Sequence, residues 1–415
     1  MEQKNRLSLL NLQYAAIQIF YWCGACSILG FPMIFFHAKG FSYTQIGIII
    51  AVVDLCSALI QPVYPKILQK FKKLTIRRLL LILFLIALLL TIALFFAPES
   101  YGIYLCFFVI FSITQSAASS LLNSFAMDFI NSGIMVNYGR MRGFGSLAYG
   151  AISMLLGTLM AQHDENILLI SNVICLILVM ICIAFVRAPE YYGEVKSPSL
   201  QNNLGGEDLR PSPSLNIFLK KNPVFIPFLV ATTVVFIGSN LMSTGYAPNY
   251  VQRFGGNSAD AGTVMFVSAI SEFLPAMFFV YLSKKFRMDK LLIFSAVGFI
   301  LKSFGTAFAP TMSAFLGAQL FQGFGYGLFT VASVYFTNAI IPFGDRVLAQ
   351  GLLYSVTAAG GMIAYLFGGS ILDNMGIMGL SRVCLVFTIL GGIMIILAAI
   401  KARKEIPEKL ENPLK

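Results

Sequence analysis

Apolar residues fall in twelve runs of about 18 or more, beginning near residues 10, 44, 76, 101, 139, 166, 222, 258, 289, 311, 346 and 378. Each is long enough to cross a hydrocarbon core about 30 Å thick as a helix. Short polar turns separate most of them. The exception is the hydrophilic stretch from Arg187 to Lys221, with PSLQNNLGGEDLRPSPS inside it, which reads as a linker. The pattern predicts an all-α membrane protein with a first six-helix bundle over 1–190, a linker over 191–219, a second bundle over 220–402 and a tail over 403–415.

The two halves repeat each other weakly. QKFKK at 69–73 follows the second span and KKFR at 284–287 follows the eighth; YGRMR at 138–142 follows the fourth and FGDR at 343–346 the tenth. Two pseudo-symmetric bundles follow from this repetition.

Composition agrees, since 58% hydrophobic and 11% charged residues do not describe a soluble chain of 415 residues. An even number of spans puts both termini on one side. Of the 29 lysines and arginines, only Lys39, Arg253 and Arg382 fall on the other, so the termini are expected to be cytoplasmic and the chain to sit in the cell membrane. The same distribution accounts for the net charge of +11 without nucleic acid, because the bases are spread over loops rather than gathered in a groove. The first apolar segment has no small-residue cleavage site and is read as a retained helix.

Enzyme chemistry finds no support. The seven cysteines all lie in predicted spans, Cys23 and Cys26 form a lone CxxC best read as packing residues, and His37 and His163 fall in outer loops away from any acidic cluster. Neither a metal nor an organic cofactor is expected. What remains is charge inside the membrane. Asp54, Glu272 and Lys302 each lie twelve residues from a boundary lysine (Lys66, Lys284 or Lys290), about 18 Å at the helical rise and so near the bilayer centre. Charges at that depth are costly and usually serve a pathway or relay. A static Glu272–Lys302 pair holding two spans together, or a packing role for Asp54, would use the same residues.

Polar faces supply the rest of a cavity. Gln115, Ser119 and Asn123 recur on the fourth span, Gln319, Gln322 and Tyr326 on the tenth, and Tyr14, Gln18, Tyr21 and Trp22 on the first. Asn240, Thr244 and Asn249 line the seventh near a break expected at Pro248. Interhelical hydrogen bonding is the competing use of such residues.

Twelve spans in two halves, with basic clusters after spans two and eight, resemble the major facilitator superfamily. YGRMRGFGSLAYG at 138–150, GFSYTQIG at 40–47, SEFLPAMFF and LKSFGTAFA resemble more narrowly its lactose-permease-like and nucleoside-permease-like proton symporters. The usual signature between spans two and three is degenerate: PVYPKILQKFKK keeps the bases but lacks the glycine and aspartate. The resemblance implies that Arg142 binds solute and that Tyr149 is a stacking aromatic. It implies that Glu272 and Lys302 are the charged pair of spans eight and nine. It departs where Ser124, Gln322 and Gly325 replace an acid, a histidine and a second acid, which argues against lactose and leaves Asp54 and Glu272 as candidate proton carriers.

The expectation is a monomeric symporter of a small polar solute (a sugar, oligosaccharide or nucleoside), working by alternating access with the proton as coupling ion. The predicted coupling residues are Asp54, Glu272 and Lys302. The predicted solute contacts are Arg142, Tyr149, Gln115, Ser119, Asn123, Gln18, Gln319, Gln322, Tyr326 and Asn240. Alternatives are a proton-coupled exporter of amphiphilic compounds and a non-transporting membrane sensor.

Overall fold

A computed structural model describes residues 2–60, 75–131, 134, 138–187, 191, 215–242, 244–342 and 345–405. The basic cluster at 69–73, the linker sequence over 192–214, positions 343–344 of the FGDR repeat and the tail beyond 405 lie outside the described residues.

Hydrocarbon leaves a chain only one local way to satisfy its amides, the helix, and the described residues contain no strand. The helices are α1 (Glu2–Leu29), α2 (Pro32–Ala38), α3 (Tyr43–Ile60), α4 (Ile76–Phe95), α5 (Tyr101–Asn131), α6 (Tyr138–Gln162), α7 (Ile167–Phe185), α8 (Leu215–Lys221), α9 (Phe225–Leu241), α10 (Ala247–Gln252), α11 (Ser258–Lys285), α12 (Met288–Phe308), α13 (Met312–Gln319), α14 (Leu328–Ile340) and α15 (Arg346–Glu405). Among the described residues, eight helices are long and apolar enough to cross a membrane, or nine if α8 and α9, bent by 108° to one another, count as one span.

The departures from twelve uniform spans have local causes. The tenth predicted span is broken into α13, a π-helical turn at Gly323–Gly327 and α14. The seventh breaks at the 3₁₀ turn Thr244–Tyr246, ahead of Pro248 rather than at it. Pro248 lies in the first turn of α10, where its missing N–H leaves no helical bond unmade. Predicted spans eleven and twelve join in α15, whose 60 residues would reach about 90 Å if straight. Gly376, at φ 64° and ψ −173°, interrupts it. Gly360 before the break lies against Phe236 and Gly391 after it against Val235, so both arms pack on the same stretch of α9. The chain therefore reverses at Gly376, in a conformation open to glycine and strained for other residues.

The chain divides into two compact units, Met1–Phe41 with Val52–Leu204, and Ser42–Ala51 with Gly205–Lys415. Unit 1 is tied by side chains that reach neighbouring backbones. Tyr14 and Tyr21 of α1 donate to the carbonyls of Leu122 (2.9 Å) and Gln115 (3.1 Å) on α5. Asn172 of α7, fully buried, accepts from Thr91 of α4 (2.9 Å) and donates to the carbonyl of Gly24 on α1 (2.8 Å). One amide thus links three helices where water is absent.

Unit 2 is centred on an aromatic core in which Phe228 packs on Phe329 and Phe336. Its helix ends are closed by charges. Arg253 donates to the carbonyls of Ala307 (3.0 Å) and Ala309 (3.1 Å) at the end of α12. Asp373 accepts from the backbone N–H groups of Tyr43 (3.2 Å) and Thr44 (2.7 Å) and from the Thr44 hydroxyl (2.6 Å). An acid from another helix thereby caps the start of α3, where the helix dipole favours negative charge.

In unit 1, Lys39 pairs with Glu165 (2.9 Å) and Glu99 (3.3 Å). Its side chain is 12% exposed. Burial alone pushes the ammonium pKa down, but hydrogen bonding to Glu165 and then Glu99 outweighs that and raises it above the ordinary lysine value. A raised folded-state pKa means that the pairing contributes fully below about pH 10.4, the unfolded value, and is lost as pH rises through the folded one. Lys39→Met is expected to cost about 1 kcal/mol, or roughly 2–4 °C in Tm, at neutral pH. The gap to wild type should close only above the lysine's raised pKa. Equal melting curves at pH 7 would show the triad to be energetically idle.

Candidate functional site

In unit 2, Glu272 comes from α11, Lys302 from α12 and Gln322 from the turn that enters the π segment. The sequence suggests a direct carboxylate–ammonium pair, but the structure puts an amide between them. Lys302 Nζ donates to Gln322 Oε1 at 2.5 Å, and Gln322 Nε2 donates to Glu272 Oε1 at 2.6 Å. An ammonium can only donate and a carboxylate can only accept, so the two charges fix which end of the amide faces which. Lys302 is 3% exposed and also reaches the Met242 carbonyl at 3.4 Å.

This line requires α11, α12 and the π segment to approach unusually closely, and their residues permit it. Pro275 has no N–H for the carbonyl of Ser271 four residues earlier. That carbonyl faces Gly323, where a Cβ would lie only 2.1 Å from it. A Cβ on Gly298 would lie 2.5 Å from the backbone nitrogen of Gly325, and one on Gly327 would lie 3.0 Å from Cα of Glu272. Ser295 donates to the Gly325 carbonyl at 2.9 Å, satisfying an acceptor of the irregular turn. Single π turns in otherwise α-helical spans are common at functional sites.

Of the other predicted residues in this unit, Gln319 is buried and donates to Thr306 (3.4 Å) and to the Phe315 carbonyl (3.2 Å). Asn240 donates to the Phe236 carbonyl at 2.8 Å, and the Tyr326 ring packs 6.0 Å from that of Phe236.

Unit 1 gathers a second group. The Arg142 guanidinium lies over the Trp22 indole, 4.1 Å from the ring centroid, and donates to Ser146 at 3.1 Å. Tyr149 meets Trp22 edge-on at 6.4 Å. Trp22 Nε1 donates to Gln18 (3.2 Å), and Gln18 donates to the Tyr14 hydroxyl (2.9 Å), so a chain of hydrogen bonds along α1 fixes the indole. Gly145 is the reason the indole fits: a Cβ there would lie 2.4 Å from Trp22 Cδ1.

Gln18, 1% exposed, is engaged at both ends of its amide in holding this arrangement. Gln115 is buried with Oε1 unpartnered among the described residues, Ser119 meets the Tyr21 hydroxyl, and Asn123 is exposed on α5. Asp54 lies in the part of α3 that belongs to unit 1, three residues from Ser57, whose hydroxyl pairs with Ser112 at 2.6 Å. No hydrogen bond or ion pair to Asp54 is found among the described residues. The pairing of Arg142 with Trp22 was not legible beforehand, although this is the chain's one tryptophan and it stands four residues from Gln18.

A family model described as the MFS_1-like family matches residues 11–383. The chain belongs to the MFS_1-like family. Its members and relatives are transporters, and this protein is a multi-pass membrane transporter of the major facilitator superfamily, not an enzyme. It is 24% identical over 408 residues to the uncharacterized transporter YwbF of Bacillus subtilis (strain 168), covering 95% of this chain and 96% of that one. Its fold is similar to that of the nucleoside transporter NupG, with a TM-score of 0.76, 16% identity and 94% and 99% of the two chains covered. It is also similar to that of a D-xylose–proton symporter, with a TM-score of 0.67, 16% identity and coverage of 99% and 98%. For these two structures the likeness is one of fold.

With Trp22 the sole tryptophan of this MFS_1-like chain, intrinsic fluorescence reads the Arg142 contact directly. Arg142→Gln should shift the emission maximum or yield, whereas Arg187→Gln, whose guanidinium lies over Tyr191, should leave it unchanged. Identical spectra for wild type and Arg142→Gln would place the guanidinium away from the indole.

Proposed function

We propose that the protein is a proton-coupled symporter of a small polar solute, a sugar, oligosaccharide or nucleoside, in the cytoplasmic membrane. It works by alternating access with both termini inside. The observation that carries this reading is the buried line from Glu272 through Gln322 to Lys302. Such a line holds an ionised carboxylate inside hydrocarbon only while its partners stay in place. Moving the π segment withdraws Gln322 from Glu272, and the carboxylate, deprived of its donor, takes up a proton rather than remain charged in a dry site. Return of the amide releases the proton. Asp54 is the second acid able to take part.

Solute recognition is assigned to unit 1. Arg142 supplies charge-assisted donors, and Trp22 with Tyr149 supplies aromatic faces suited to a sugar ring or a base. Gln115 adds an acceptor without a partner among the described residues. The remaining predicted contacts, Ser119, Asn123, Gln319, Tyr326 and Asn240, are assigned to the walls of the pathway. Folds similar to a nucleoside transporter and a D-xylose–proton symporter support this substrate class. One proton moving down 100 mV provides about 2.3 kcal/mol, enough for roughly fifty-fold accumulation of a neutral solute.

Two variants separate binding from coupling. Glu272→Gln should retain solute exchange across right-side-out vesicles but lose uphill uptake and solute-induced alkalinisation of the medium. Uphill uptake at the wild-type level would remove Glu272 as the proton carrier. Arg142→Ala should weaken binding of the transported solute by about 10- to 100-fold, the worth of hydrogen bonds to a charged group. Unchanged affinity would put the solute elsewhere, and export of amphiphilic compounds in place of uptake would overturn the symport reading itself.

A further inference from the structure

Unit 2 carries a groove of about 570 Å³ between α11, α12 and the π segment, lined by Pro275, Phe278, Phe286, Leu291, Val297 and Phe324 among others. Its walls are apolar, and its volume is in the range of small-molecule sites, about 300–1,000 Å³. Along α11 the lining runs from Leu274 to Phe286. At the helical rise this is about 18 Å, close to the thickness of one leaflet's hydrocarbon, about 15 Å. A groove of that depth in one leaflet accepts an extended chain that enters from the surface and stops at the bilayer centre.

The mouth of the groove is basic. Lys285 ends α11 and Lys290 lies in the first turn of α12, next to the lining residue Leu291; both are exposed, and Lys285 Nζ lies 5.8 Å from the ring centroid of Phe286, another lining residue. The acid beside them, Asp289 in the first turn of α12, is buried and already bonded to Arg287 Nε at 3.1 Å. Arg287 Nη2 is buried with no hydrogen-bond partner among the described residues. This end of the groove therefore carries surplus positive charge beside an apolar channel one leaflet deep.

We propose that this groove is a binding site for an anionic phospholipid, with one acyl chain against Phe278, Val297 and Phe324 and the phosphate held by Lys285 and Lys290. A soluble anion would account for the lysines but not for the apolar channel. An uncharged lipid would account for the channel but not for the charge at its mouth. The inner end of the chain rests on Phe321 and Phe324, which flank Gln322 and the π segment, so the lipid packs behind the amide that joins Glu272 to Lys302. The site stands on residues of unit 2 alone and does not depend on which solute is carried.

The test is native mass spectrometry of the purified full chain in detergent mixed with equal phosphatidylglycerol and phosphatidylcholine. Wild type should retain phosphatidylglycerol in preference to phosphatidylcholine, and excess glycerol phosphate should not displace it. Lys285→Gln should lower that preference about fivefold, as expected for one basic residue at an anionic surface. Val297→Trp, which fills the groove at a position 41% exposed, should abolish retention with Tm unchanged. If Val297→Trp fails to fold, Leu301→Trp, 43% exposed in the same groove, serves instead. Equal retention of both lipids by wild type, displacement by glycerol phosphate, or full retention in the folded groove variant would each overturn the proposal.

Discussion

Hydrocarbon offers no water to a buried charge, and the architecture of unit 2 follows from keeping Glu272 and Lys302 there together. Neither residue can be left alone, because an isolated charge near mid-membrane costs several kcal/mol. The amide of Gln322 satisfies both by presenting a donor to one and an acceptor to the other. That requires three helical segments to meet at backbone distance. Gly298, Gly323 and Gly327 remove the side chains that would hold them apart, and Pro275 turns a carbonyl of α11 outward toward Gly323. The π turn is the backbone adjustment that brings Gln322 into line.

Unit 1 answers the same constraint with hydrogen bonds and one cation on an aromatic face. Tyr14, Tyr21 and Asn172 each bond a carbonyl of a neighbouring helix, so interhelical adhesion does not rely on apolar contact, which lipid tails would supply equally well. Arg142 rests on Trp22, whose indole is held by Gln18 and seated over Gly145. The two units therefore differ in chemistry, a cation on an aromatic face in one and two buried charges joined by an amide in the other.

The ends of the helices carry a separate cost, because four N–H groups and four carbonyls are left over at each pair of termini. Asp373 at the start of α3, Arg253 at the end of α12 and the Lys39 triad beside α2 are charged groups placed where those dipoles or neighbouring charges favour them.

The sequence by itself determined the class of protein, since the length and spacing of apolar runs leave only a multi-pass helical bundle, and the motifs around Arg142 and Glu272 were enough to point to the superfamily. It also singled out Glu272, Lys302 and Gln322, because charge and amide residues are conspicuous in apolar surroundings. Only the tertiary structure decided that Gln322 stands between the two charges. That outcome depends on a π turn and on backbone approaches of a few ångströms between α11, α12 and the broken tenth span, which no one-dimensional period encodes. The pairing of Trp22 with Arg142 was hidden for the same reason, as the two lie on different helices and meet through the missing side chain of Gly145. Pro248 illustrates the converse: its presence foretold a break, but the break falls at the 3₁₀ turn Thr244–Tyr246 ahead of it and leaves the proline in the first turn of the next helix.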